Sequence, residues 1–168
     1  MKYSLLILLG FLISGNVFSQ EKRLNSKLVS KEIKSYISTN YPALKKVKFY
    51  QEKQNDSIFI EAEFNFGKEE IELKFFNNQL IEKETDLEFN EIPEQARNNI
   101  KNYLATEYTT HKITECNFVE KTGMKNQYEI YIKGKKNNKS NFFEIYLDEM
   151  GNCIKTVEVE LKPIQTQN

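Results

Sequence analysis

The sequence lacks tryptophan and has one histidine, two cysteines and three prolines among its 168 residues. A single histidine, His111, excludes a His-rich metal centre. No acid or nucleophile pattern lies beside it, so nothing indicates that it is a catalytic base. The sequence also has no excess of positive or negative charge, because 24 Lys and Arg residues balance 24 Asp and Glu residues. Nucleic-acid binding depends on excess positive charge. The sequence therefore predicts no catalytic residue, metal, cofactor or nucleic-acid partner.

Long apolar runs are scarce, and the clearest one lies at the N-terminus. Lys2 precedes the apolar stretch Leu5–Ile13, and Val17-Phe18-Ser19 suits the residues before a signal-peptidase cleavage site. The stretch is too short for a typical membrane-spanning helix. Residues 1–19 are predicted to be a signal peptide, which gives a periplasmic or secreted product with no membrane span after cleavage. A retained N-terminal anchor is the alternative.

The two cysteines could form a disulfide or remain free thiols. An exported protein reaches an oxidising compartment, and Cys116 and Cys153 would close a 38-residue loop. The strand pattern places them on the first and fourth strands of one meander, about 14 Å apart, which exceeds disulfide reach. Two small free thiols that fill core space are the alternative.

Two stretches, 33–41 and 100–108, share five identical residues of nine at an offset of 67. In each stretch the apolar residues recur at helical spacing, and alternation typical of strands with one buried face follows. We therefore predict an α+β fold made by tandem duplication of a helix plus a four-stranded antiparallel meander, with the helices packed on one face of the sheet. The repeats are assigned to residues 20–88 and 89–162, and a polar tail to 163–168.

Equivalent halves would place residues at this offset in matching environments. Ile33 and Ile100 should both be buried, and Lys34 and Lys101 should both face water. The pairs Tyr36/Tyr103 and Ile37/Leu104 should be buried as well.

Two local motifs accompany this plan. Asn40-Tyr41-Pro42 ends the first predicted helix, and Phe142–Asn152 is an apolar strand that runs into an acidic, glycine-containing hairpin. Together with the doubled helix–meander pattern, these motifs resemble the PepSY-like family of exported bacterial proteins. That family is similar to beta-lactamase inhibitory protein, and the resemblance covers roughly residues 25–161. The chain departs from the pattern at Phe76–Gln79, which lacks the acidic residue and the glycine, and at Tyr108-Thr109, which lacks the proline. The resemblance implies a non-enzymatic binding or inhibitory module.

Aromatic residues stand among Glu and Lys on the predicted sheet face that the helices leave open. Aromatic side chains are enriched at protein interfaces, although they also favour strands wherever they lie. We predict an envelope or secreted protein as the partner. The candidate contact residues are Phe59, Phe76, Tyr131, Phe142, Tyr146 and Lys74.

Glutamates on the same predicted face leave two other functions open. Paired carboxylates could serve an envelope hydrolase, although interleaved lysines also fit a solvated face with cross-strand ion pairs. A structural envelope component is the third alternative. The glutamates concerned are Glu61, Glu63, Glu72, Glu129 and Glu144.

Overall fold

A computed structural model describes residues 20–54 and 56–159. In this part of the chain, nine strands form one antiparallel sheet in which each strand pairs with its neighbours along the chain. The strands are β1 (Gln20–Leu24), β2 (Lys48–Gln54), β3 (Ser57–Phe66), β4 (Glu69–Phe76), β5 (Gln79–Asp86), β6 (Thr110–Lys121), β7 (Gln127–Lys136), β8 (Lys139–Asp148) and β9 (Cys153–Val159).

The helical segments are short. They are α1 (Lys31–Asn40), α2 (Glu94–Glu107) and 3-10 turns at Ser26–Leu28 and Phe89–Glu91. Helix α1 begins at a cap in which the Ser30 hydroxyl oxygen accepts a hydrogen bond from the Ile33 N–H at 3.2 Å. It ends at Asn40, because Pro42 disfavours a helical conformation at the residue before it.

The predicted tandem duplication is wrong. The described residues form a single nine-stranded sheet with two α-helices, not two helix-plus-four-strand repeats. Strand β1 was not predicted and pairs with β2, while β5 pairs with β6 through contacts such as Glu82 opposite Lys121. Periodicity indicates which residues of a strand share a face, but it does not determine which strand lies alongside.

The predicted chain boundaries remain predictions. The signal peptide at residues 1–19 and the tail at 163–168 lie outside the described residues. Contacts divide the chain into two compact units. The first unit runs up to Phe64 and includes Leu73–Ile81, and the second contains Asn65–Glu72 and the chain from Glu82 onward.

In the first unit, α1 packs on one face of the neighbouring strands. The Tyr36 ring lies 5.6 Å from the ring of Phe75, and the Tyr41 ring lies 4.8 Å from that of Phe64. Burial of apolar surface is the main stabilising term for such a helix. The buried apolar residues here are Val29, Ile33, Ile37, Phe49, Ala62, Phe64, Leu73 and Phe75.

In the second unit, α2 buries its apolar face against β6, β7 and β8. Ala96, Ile100 and Leu104 join a core cluster whose strand residues include Ile130 and Ile145. Alternate apolar residues of the strands, such as Ile130 and Ile132 in β7, belong to this cluster, as the period of two predicts.

The helix positions at offset 67 match only in part. Ile33 and Ile100 are both buried as predicted, with 1% and 0% exposure. Lys101 is exposed, but Lys34 is half-buried, so the prediction that both lysines face water is wrong for Lys34. Tyr36 and Tyr103 are half-buried, not fully buried.

Both cysteines are free. Cys116 lies in β6 and Cys153 in β9, which β7 and β8 separate in the sheet. Burial raises the pKa of the Cys116 thiol to about 12. Since the thiolate is the reactive form, Cys116 is chemically inert at neutral pH.

Candidate binding face of the sheet

Strand register defines a second face in each unit, opposite the one that the helix covers. Residues directly opposite each other in paired strands share a face. In the first unit, Glu52 lies opposite Phe59, whereas Phe49 lies opposite Ala62 among the residues that α1 covers. We call the side that carries Phe59 the helix-free face of the first unit.

In the second unit, the same reasoning places Glu129 opposite Tyr146 and Tyr131 opposite Glu144. Their strand neighbours, such as Ile130, belong to the core that α2 covers. The side that carries Tyr146 is the helix-free face of the second unit.

The helix-free face of the first unit brings three predicted residues together. The rings of Phe59 and Phe76 lie 5.2 Å apart, and the Lys74 Nζ lies 5.2 Å from the centre of the Phe59 ring. Lys74 also pairs with Glu52, and with Glu61 at 3.0 Å. Lys74 therefore joins an aromatic pair to two carboxylates.

Burial dominates the electrostatics of this group. It raises the pKa of Glu61 to about 7, because the opposing attraction of Lys74 is smaller and Glu52 adds repulsion. Burial lowers the pKa of Lys74, but attraction to Glu61 and Glu52 outweighs it, so the net direction is upward. Lys74 thus stays charged while Glu61 can hold a proton near neutral pH.

The helix-free face of the second unit is organised around Glu144. Its Oε1 accepts hydrogen bonds from the Tyr131 hydroxyl at 2.8 Å and the Tyr146 hydroxyl at 2.6 Å. Burial raises the pKa of Glu144 to about 7 although both tyrosine bonds lower it. Tyr131 is only 7% exposed, so its side chain offers little surface to a partner.

Two cation–ring contacts lie on the same face of the second unit. The Lys155 Nζ lies 5.7 Å from the centre of the Tyr146 ring, and the Lys133 Nζ lies 5.7 Å from that of Phe142. Tyr146 and Phe142 are half-buried. Such rings keep accessible area that a partner could cover.

Further acids on this face escaped sequence reasoning. Lys121 pairs with Glu82 at 3.2 Å and with Glu129 at 3.3 Å, and the Asn117 amide donates to Glu84. Burial raises the pKa of both Glu84 and Glu129. The alternation of β5 indicates that Glu82 and Glu84 share a face. Their contacts with Lys121 and Asn117 depend on the pairing of β5 with β6, which alternation does not determine.

The groups on these faces are carboxylates, lysines and tyrosine hydroxyls that contact one another. Within residues 20–54 and 56–159, no cluster of three or more His, Cys, Asp or Glu side chains could hold a metal ion. His111 is exposed in β6 and lies opposite Gly134. No described helix has the length and hydropathy needed to cross a membrane.

Comparison with known proteins shows the fold. No family model matches the chain, and no curated protein is similar to it in sequence. A DUF2874 family protein from Bacteroides ovatus is 16% identical, with a TM-score of 0.62 over 76% of this chain and 86% of that one. A candidate periplasmic protein from Bacteroides eggerthii is 15% identical, with a TM-score of 0.63 over 77% and 88%.

A BLIP-like protein from Bacteroides fragilis has the same level of similarity. It is 15% identical, with a TM-score of 0.62 over 82% of this chain and 92% of that one. Structural likeness at such low identity concerns the fold, so the chain has a BLIP-like fold. This confirms the part of the sequence resemblance that concerns the fold of beta-lactamase inhibitory protein, while the PepSY-like assignment remains a prediction.

Proposed function

We propose that the chain is an exported, non-enzymatic binding module of the PepSY-like kind, which holds a protein partner against the helix-free face of its strands. The observation that carries the proposal is the placement of half-buried aromatic rings beside cations on that face. Phe59 and Phe76 lie with Lys74 in one unit, and Tyr146 lies with Lys155 in the other.

These rings suit protein contact for a physical reason. Aromatic side chains offer large, rigid contact area, and binding hot spots are enriched in tyrosine and arginine. A partner that covers a cation–ring pair removes water from it, which strengthens the attraction.

The proposed location of the protein is the periplasm or the extracellular medium. It is supported by the apolar N-terminal run of the sequence and by the similarity to a candidate periplasmic protein. The similarity to a BLIP-like protein supports binding or inhibition over catalysis.

The test is capture of a partner from envelope and secreted proteins of a source bacterium, followed by affinity measurement with the purified partner. Phe76→Ala and Phe142→Ala should each weaken binding by about thirtyfold, as expected for a contact of about 2 kcal/mol. Leu28→Ala is the matched control, because Leu28 is an apolar side chain with 73% exposure in the 3-10 turn before α1. Equal binding by the parent and both phenylalanine variants would contradict the proposal.

An envelope hydrolase is the second candidate, and one observation favours it. Glu144 has its pKa raised to about 7, which suits a general acid. However, the same Oε1 already accepts two tyrosine hydrogen bonds, and Glu144 is 2% exposed. Hydrolysis of an envelope substrate that is lost in Glu144→Gln, with folding unchanged, would favour this function over simple binding.

A further inference from the structure

The first unit contains a cavity of about 280 Å³ between the second half of α1 and the chain that follows it. Its apolar walls include Ile37, Leu44, Val47 and Phe49, and its polar lining includes Lys34 and Ser38. Phe49 faces the helix-covered side of the strands. The cavity is therefore separate from the helix-free face and independent of the function proposed for it.

Lys34 is the unusual residue of this cavity. It is half-buried, whereas Lys101 at the corresponding position of α2 is exposed. Among the ion pairs that join described residues, none involves Lys34. A carboxylate bound in the cavity could form a charge-assisted contact with this partly buried ammonium group.

The wall of the cavity also contains backbone strain. Ala43 lines the cavity and has a φ of +68°. The left-handed region costs an alanine about 1 kcal/mol or more, and residues held in such conformations cluster at ligand sites. Ala43 belongs to the loop between α1 and β2, which also contains Lys45 and Lys46, both exposed. These lysines add positive potential near the cavity mouth.

We propose that this cavity binds an aliphatic monocarboxylate such as a medium-chain fatty acid. The aliphatic chain lies against Ile37, Leu44 and Val47, and the carboxylate pairs with the Lys34 ammonium group. The volume of about 280 Å³ lies near the lower end of the range for small-molecule pockets, which suits a short aliphatic acid such as octanoate. The mixture of apolar walls with one charged group is typical of small-molecule sites.

Calorimetric titration of the purified protein with octanoate tests the proposal, with octan-1-ol as the uncharged ligand of the same chain length. Octanoate should bind saturably and more tightly than octan-1-ol. Lys34→Met should weaken octanoate binding about tenfold or more while leaving octan-1-ol binding unchanged, because only the charge-assisted contact is lost. Lys101→Met is the matched control and should leave both ligands unaffected.

A second variant tests the cavity itself. Ser38 is exposed and lines the cavity, and its hydroxyl donates to the Ser35 carbonyl oxygen at 3.0 Å. Ser38→Phe should fill the cavity and abolish binding of both ligands while thermal unfolding stays cooperative. Equal affinity for octanoate and octan-1-ol, no saturable binding, or no effect of Lys34→Met would overturn the proposal. Tighter binding of a peptide with a C-terminal leucine would overturn the choice of a free fatty acid.

Discussion

Buried carboxylates distinguish this chain at the residue scale. Glutamate is almost never buried without a partner, and a buried carboxylate either pairs or takes up a proton. Glu61 has Lys74 as its partner, whereas Glu144 has two neutral tyrosine hydroxyls. Neutral donors compensate a buried negative charge less well than a cation does. Removal of the charge by protonation therefore matters more for Glu144 than for Glu61.

This difference predicts a pH effect on stability. The pKa of Glu144 rises from 4.5 to about 7 on folding, so the folded state binds more protons than the unfolded state between these values. The free energy of unfolding should therefore fall as pH rises from about 4.5 to about 7, by up to about 3 kcal/mol from this group. Glu144→Gln should stabilise the protein at about pH 8 and remove the part of the slope that Glu144 contributes, while Glu61, Glu84 and Glu129 keep theirs.

Urea denaturation at about pH 5 and about pH 8 measures both effects. Exposed Glu69 supplies the control, because Glu69→Gln should change the free energy of unfolding by less than about 0.5 kcal/mol at either pH. A pH slope that is identical in the parent and Glu144→Gln would show that Glu144 is not protonated on folding.

At the element scale, the turn between β8 and β9 controls how closely the strands approach α2. Gly151 has a φ of +79°, and a Cβ placed there would lie 2.3 Å from the Ala96 carbonyl oxygen. The Asn99 amide also donates to the Met150 carbonyl oxygen at 2.9 Å. The turn therefore packs directly on the helix backbone, which only a glycine permits.

Gly151→Ala is expected to lower the free energy of unfolding by about 2–4 kcal/mol, since backbone strain and a backbone clash add together. Gly67→Ala is the matched control. Gly67 has a φ of +67°, but a Cβ there meets nothing within 4 Å, so only about 1–2 kcal/mol should be lost. Equal losses in the two variants, measured by urea denaturation, would show that the contact with Ala96 is unimportant.

Element identity could be predicted from sequence where alternation is strong, as in β7 and β8. It failed at β1, because the polar stretch Gln20–Leu24 has no alternation that indicates a buried face. In β6 the strand itself was predicted, but not the register shift between Ile113 and Glu115 that interrupts the period of two.

The candidate site was predictable to a similar extent. Alternation predicted that Phe59, Phe76 and Lys74 share a face, and the structure brings these side chains together. Alternation could not show how deeply a side chain is covered. Burial depends on the strands alongside, so the low exposure of Tyr131 and the half-burial of Lys34 became visible only in three dimensions. The contact role of the six candidate residues remains a prediction.

At the scale of the whole molecule, the ladder between β5 and β6 replaces the boundary expected between two repeats. Glu82 lies opposite Lys121 and Asp86 opposite Asn117, so the strand before α2 pairs with the strand after it. The ion pair between Lys121 and Glu82 at 3.2 Å lies on this ladder. A chain divided at residue 88 would leave both strands with unpaired edges, which is unfavourable in water and promotes association.

Fragment folding tests this feature of the sheet. Residues 20–88 alone should show no cooperative urea transition, because β5 loses its partner and no longer has a neighbour on that side. A fragment that starts at Glu82 should be more resistant to proteolysis than one that starts at Phe89, since only the former retains the paired residues of β5. Mixing residues 20–88 with residues 89–168 should restore a cooperative transition by reforming the ladder. Independent cooperative unfolding of residues 20–88 would instead mean that the ladder between β5 and β6 contributes little to the stability of the sheet.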